Sequence, residues 1–137
     1  MKNRIDHKAK ILLVEEDDDT RPLMKEMLQK SGYRLTVALD EEDALERIRG
    51  GDDGADLILV NMVGVTTNEA LDSARRVRGE TEAGDATSIV VMAESYGEEL
   101  EGKDVQVGVR EYVTYPEDFR QLESLLARLL HRHVAAV

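Results

Sequence analysis

Five consecutive carboxylates, Glu15, Glu16, Asp17, Asp18 and Asp19, follow the apolar run Ile11-Leu12-Leu13-Val14. Hard oxygen donors at the end of a buried segment suit a divalent cation, and Glu15 and Glu16 are the two that would point into a crevice there. The same run has a structural use, in which Asp18 or Asp19 caps a following helix and the others complement its dipole. Asn61 ends a second apolar run, in DLILVN. A polar residue that closes a strand and hydrogen-bonds its own loop is the ordinary role for such an asparagine. An amide also spares Glu15 and Glu16 a further anion, because two unit charges about 4 Å apart cost on the order of 4 kcal/mol at an effective dielectric of about 20. Ala93 and the pair Tyr115-Pro116 close two more apolar runs and bring neither a nucleophile nor a cation.

The elements that must position these residues are legible as a change of hydrophobic period. Short apolar runs at 11–14, 35–39, 57–60, 89–92 and 112–114 alternate with amphipathic stretches, and this switch repeats five times. Three of the runs are almost wholly apolar, as parallel strands covered on both faces must be. Met24, Met27 and Leu28 form one helical stripe before Gly32; Ala44, Leu45 and Ile48 form another before Gly50; Ala70, Ala74 and Val77 form a third before Gly79. A fourth helix is expected in 98–107, with weak patterning, and a fifth carries Leu122, Leu125, Leu126 and Leu129 after Pro116, Glu117 and Asp118. The expected architecture is a doubly wound five-stranded parallel sheet with five helices in three αβα layers, strand order 2-1-3-4-5. Residues 1–9 read as an N-terminal extension, 10–133 as the domain and 134–137 as a tail. In such a sheet the functional crevice lies beyond the carboxyl ends of the strands, where the residues named above fall.

Composition narrows the function. The 137 residues fit one domain, and the formal charge of −11 disfavours direct contact with nucleic acid or an anionic membrane. Basic or amphipathic protein surfaces are the partners such a charge suits. There is no cysteine, so disulfides and thiolate metal sites are excluded, and a reducing cytoplasm is the expected location. The opening MKNRIDHKAK lacks the apolar core of a signal peptide, and no apolar run is long enough to span a membrane.

The stretches ILLVEEDDDTR, SGY, ALDEEDALERI, DLILVNM and GVREYVTYP, in this order and spacing, resemble the receiver domains of two-component response regulators across 10–130. The resemblance implies a flavodoxin-like fold in which an aspartate after the third strand accepts phosphate from a histidine kinase. It further implies an acidic pair that holds Mg²⁺, a Thr or Ser after the fourth strand and a Lys before a proline. Here Asn61 stands at the acceptor, Ala93 at the hydroxyl position and Tyr115 at the lysine, with Pro116 retained; Glu15 and Glu16 keep the acidic pair. A carboxamide is too poor a nucleophile to form an acyl phosphate. Glu15, Glu16 and Asn61 are therefore expected to form a weak or vacant metal site, with no cofactor beyond weak Mg²⁺. Tyr112 falls at the family's switch aromatic, and the small Ala93 is expected to let its ring turn inward. The surface carrying Arg110, Tyr112, Phe119, Arg120 and Arg128 is the expected contact patch.

The reading is a degenerate pseudo-receiver: a non-enzymatic, phosphorylation-independent module, monomeric or weakly dimeric, that acts on a protein partner such as a histidine kinase or an output domain. An alternative is a receiver that retains weak Mg²⁺ or phosphorelay-partner binding. An alternative of another class is a flavodoxin-type cofactor or nucleotide-binding protein, against which stand the absence of a Gly-rich phosphate loop and the acids at the helix starts.

Overall fold

The computed structural model describes the backbone of residues 8–135 and the side chains of residues 8–130. Most of the expected N-terminal extension, including His7, and residues 136 and 137 of the tail lie outside the described residues, as do the side chains of His131 and His133. The elements are β1 (Lys10–Glu15), α1 (Thr20–Lys30), β2 (Arg34–Ala38), α2 (Glu41–Arg49), β3 (Leu57–Asn61), α3 (Thr67–Glu80), a 3₁₀ turn (Gly84–Ala86), β4 (Ser88–Met92), β5 (Asp104–Gly108), β6 (Glu111–Thr114) and α4 (Phe119–Ala135). One sheet runs β2-β1-β3-β4-β6-β5, parallel throughout except for the antiparallel pair β5–β6.

This corrects the expected five strands, five helices and order 2-1-3-4-5. The segment expected as a fourth helix is a turn followed by β5, which folds back on β6 as a hairpin. The physical reason lies in its residues: Val105, Val107 and Val109 alternate at period two, and Gly102, at φ 86°, breaks the chain just before them.

The parallel strands alternate between two cores. Leu12, Val14, Ile58, Val60, Ile89, Val91 and Val113 pack with α2 and α3, while Ile11, Leu13, Leu57, Leu59 and Val90 pack with α1 and α4. Local chemistry fixes the helix starts beside the carboxyl ends of the strands. Asp40 caps α2 by accepting from the Asp43 amide at 2.8 Å. Thr66 and Glu69 form a capping box at α3, with bonds of 3.1 and 2.8 Å. At α1 the N-cap position falls on Asp19, one of the two expected, but its side chain makes no capping bond; Asp17 supplies it, its Oδ2 accepting from the Thr20 amide at 3.0 Å and from the Thr20 hydroxyl. Asp18 instead pairs with Arg21 at 2.8 Å on the surface.

Candidate functional site

Strand register brings the site residues into one row. Glu15 faces Asn61, Met92 faces Thr114, and the pairing of Val60 with Val91 sets Asn61 and Met92 as the next step of the β3–β4 ladder. The row is thus Glu15, Asn61, Met92, Thr114. Ala93, expected at the hydroxyl position, lies one residue beyond it, buried, with its amide donating to the Thr114 carbonyl at 2.9 Å. The side chain alongside Asn61 is the half-buried thioether of Met92, which sequence reading passed over because the small Ala93 drew the comparison. Thr114 is fully buried, and its hydroxyl donates to Asp104 Oδ1 at 2.7 Å, away from any exchange with Asn61.

Glu15 has no solvent exposure. Its Oε2 accepts from Asn61 Nδ2 at 2.6 Å and from the Asp17 amide at 3.2 Å, while Oε1 has no partner among the described residues. Burial pushes the Glu15 carboxyl above its ordinary range; the Asp17 amide and the Asn61 amide pull the other way without cancelling it, the Asp17 charge adds to the rise, and the Arg21 charge opposes it. Arg21 bonds the Glu15 carbonyl through Nε at 2.8 Å. Glu16 turns outward, and its Oε1 accepts from the Val63 amide at 2.8 Å, tying down the loop after Asn61.

These contacts decide how well the residues fit a divalent cation. Asn61 presents its NH₂ to Glu15, and Glu16 is engaged with Val63, so the three expected ligands do not converge their oxygens. Among the described residues no group of three or more His, Cys, Asp or Glu is arranged to hold a metal. The donor set does not fit Mg²⁺ as it stands.

Tyr115 fills the lysine position with an aromatic pair. Its ring meets Tyr96 edge to face, centroids 5.5 Å apart and planes at 78°, and the Tyr96 hydroxyl donates to the Pro116 carbonyl. Both tyrosines pack on the α2–α3 core, which also holds Ala93. Tyr112 does not join them. It is half-buried on the opposite face, against the α1–α4 core, so the expected inward turn toward Ala93 is not the arrangement formed. Of the expected contact patch, Arg110 and Arg128 line grooves of about 280 and 360 Å³ that share Tyr112 and Leu129; Phe119 is half-buried against the α1–α4 core and Arg120 is exposed.

Beside Glu16 lies a feature the sequence did not disclose. A cleft of about 640 Å³ between the starts of α2 and α3 is lined by Glu16, Asp40, Glu41, Glu42, Glu69 and Asp72, with Arg76 as its cation and Met62 and Val65 as apolar floor and rim. Arg76 bonds Glu41 twice, at 2.7 and 2.8 Å, and Ser73 adds a third bond at 2.6 Å, which together hold the Glu41 carboxyl below its ordinary range. These carboxylates come from the loop after β1, the cap and first turn of α2 and the first two turns of α3, and only the fold assembles them.

The architecture places the chain in the flavodoxin-like α/β class. No family model matches the chain. The transcriptional regulatory protein CpxR of Escherichia coli is 30% identical over 124 residues, covering 90% of this chain and 50% of that protein. The chain therefore spans about half the length of the curated relatives it matches. The receiver domain of sensor histidine kinase PA1611 from Pseudomonas aeruginosa, solved with magnesium coordinated in its active-site cleft, superposes with a TM-score of 0.65 at 24% identity, covering 90% of this chain and 98% of that one. The response regulator TrrA of Thermotoga maritima, solved with Mg²⁺ and BeF, gives 0.60 at 26% identity over 89% and 99%, and it has also been solved in complex with the histidine kinase ThkA. The chain thus has the fold of a response-regulator receiver domain and is similar, over nine-tenths of its length, to part of a transcriptional regulatory protein.

Proposed function

We propose that this receiver is a pseudo-receiver that signals by binding a protein partner without being phosphorylated. The observation that carries the reading is the 2.6 Å bond from Asn61 Nδ2 to Glu15 Oε2. At the acceptor position it substitutes a non-nucleophilic amide and uses that amide to occupy the acidic residue that would otherwise face a metal. Met92 and Tyr115 then supply neither a hydroxyl nor a cation for a phosphoryl group. A kinase or an output domain is the class of partner expected, by analogy with the TrrA–ThkA pair. The acidic cleft favours a partner with a basic face.

Acetyl phosphate with Mg²⁺ tests the reading. The native chain and Asn61→Asp should both show no hydroxylamine-sensitive mass gain beyond trace, whereas Asn61→Asp, Met92→Thr and Tyr115→Lys together should restore labelling. Efficient labelling of the native chain would overturn the reading.

A further inference from the structure

The loop between α2 and β3 holds the chain's one Asp-Gly step, Asp53–Gly54, and no Asn is followed by Gly anywhere in the sequence. An aspartyl carboxyl and the amide nitrogen that follows it are the two ends of a five-membered imide ring. The ring closes where that nitrogen is held against the carboxyl carbon without hindrance. Gly54 N lies 2.6 Å from Asp53 Oδ1, so the atom that must attack already sits against the carboxyl group. Nothing shields it: Gly54 is exposed, at φ 99°, and no atom lies within 4 Å of where a Cβ would be.

Two further contacts favour ring closure. Lys10 Nζ donates to the Asp53 carbonyl at 3.0 Å, held there by its ion pair with Asp52 at 2.7 Å. The nucleophile is the Gly54 nitrogen after loss of its proton. Its negative charge is shared with the Asp53 carbonyl oxygen, where the ammonium stabilises it. The Glu82 amide, just past α3, donates to Asp53 Oδ2 at 3.0 Å, where negative charge concentrates as the carboxyl carbon becomes tetrahedral. The nucleophile, a cation for it and a donor for the oxyanion thus come from three separate segments to one peptide bond.

We propose that the folded chain promotes isoaspartate formation at Asp53–Gly54, making residue 53 an acceptor for a carboxyl-methylating repair enzyme. Gly54 N bonds Asp53 Cγ, and one carboxyl oxygen leaves as water with the amide proton and a proton from solvent. A second water opens the imide at the former peptide carbonyl. The main chain then runs through Cβ and Cγ, the former carbonyl becomes a free carboxylate, and the mass is unchanged. This does not depend on the pseudo-receiver reading.

Isoaspartate is measured by methyl transfer from S-adenosylmethionine with a protein isoaspartyl methyltransferase and is located by electron-transfer fragmentation of the digested chain. At neutral pH the folded chain should accumulate it at residue 53 at least about tenfold faster than the free peptide 50–58, which has the same Asp-Gly step without Lys10 or Glu82. Lys10→Met, with its fold checked by circular dichroism, should slow the reaction toward the rate of the peptide. Asp53→Glu would have to close a six-membered ring and should give no product at residue 53. A folded native chain that falls short of the tenfold difference overturns the proposal, as does modification concentrated at another aspartate or a folded Lys10→Met that keeps the native rate. Should Lys10→Met fail to fold, the comparison of native chain with peptide decides alone.

Discussion

At the scale of single residues, the Glu15–Asn61 contact joins two chemistries that depend on each other. A buried carboxylate is tolerable here because an amide, and not a second carboxylate, lies against it. Burial raises the Glu15 carboxyl above its ordinary value, so between that value and the raised one the folded state holds more protons than the unfolded. Stability from this group is then fully present at low pH and declines as pH rises through that window. Glu15→Gln has no proton to lose and keeps an oxygen to accept from Asn61, so it should flatten the decline: thermal melts should show it gaining on the native chain between pH 5 and pH 8. Equal differences at both pH values would contradict this. Asn61→Asp should do the reverse, losing more stability at pH 8 than at pH 5, because it removes the donor and adds a charge. In the double variant with Glu15→Gln most of that loss should return, giving a coupling of about 1–3 kcal/mol by double-mutant cycle. Additive single effects would mean that the two side chains do not sense each other.

At the scale of elements, the β5–β6 hairpin is anchored to α3 by one acid. Glu111 is nearly buried and accepts from Arg75 at 2.7 and 3.2 Å and from Arg78 at 2.6 Å; these bonds, Arg75 foremost, hold its carboxyl below the ordinary range. Gly108 belongs to the same device, since a Cβ there would sit 2.4 Å from Glu111 Oε1. Glu111→Ala would leave the Arg78 guanidinium, whose Nη1 is buried without a partner among the described residues, only the exposed Asp85 at 3.9 Å, and should cost about 3 kcal/mol by urea denaturation. Because the Glu111 carboxyl is depressed, its contribution is present above the ordinary carboxylate value and lost as pH falls through its own, so the variant and native chains should converge in acid. A variant that unfolds at the native urea midpoint would remove Glu111 from this role. Thr66→Ala should cost about 1 kcal/mol through the capping box alone.

These elements also mark where the sequence was legible. The five parallel strands and the helices α1, α2, α3 and α4 follow from periodicity because each buries a continuous face. β5 did not follow: an edge strand buries almost nothing, so its valine alternation was too short to outweigh the expectation of a helix. Asn61, Glu15 and Glu16 could be placed because they end strands. The position of Met92 beside Asn61, the cap at Asp17 and the cleft between α2 and α3 depend on register and on distance across the sheet, which one chain read linearly does not carry.

At the scale of the whole molecule, the excess of 29 acids over 18 bases is both spread and focused: it gives a charge of −11 and gathers six carboxylates around one cleft. A close pair such as Arg78–Glu111 at 2.6 Å is short-range and largely shielded from solvent, so salt weakens it little. The repulsion among unpaired surface acids acts over longer distances, and a Debye length of about 8 Å at physiological ionic strength removes most of it. Self-repulsion opposes the compact state, so its removal should stabilise the fold. Raising NaCl from low to physiological concentration at neutral pH should therefore raise the melting temperature by a few degrees, the shift that about 1 kcal/mol produces in a domain of this size. Glu42→Gln, which removes one exposed acid from the cleft, should raise the low-salt melting temperature and shrink the salt effect. A melting temperature that falls with salt would show that the paired charges, and not the unpaired ones, govern the stability of the domain, and would weaken the case for a cleft tuned to a basic partner.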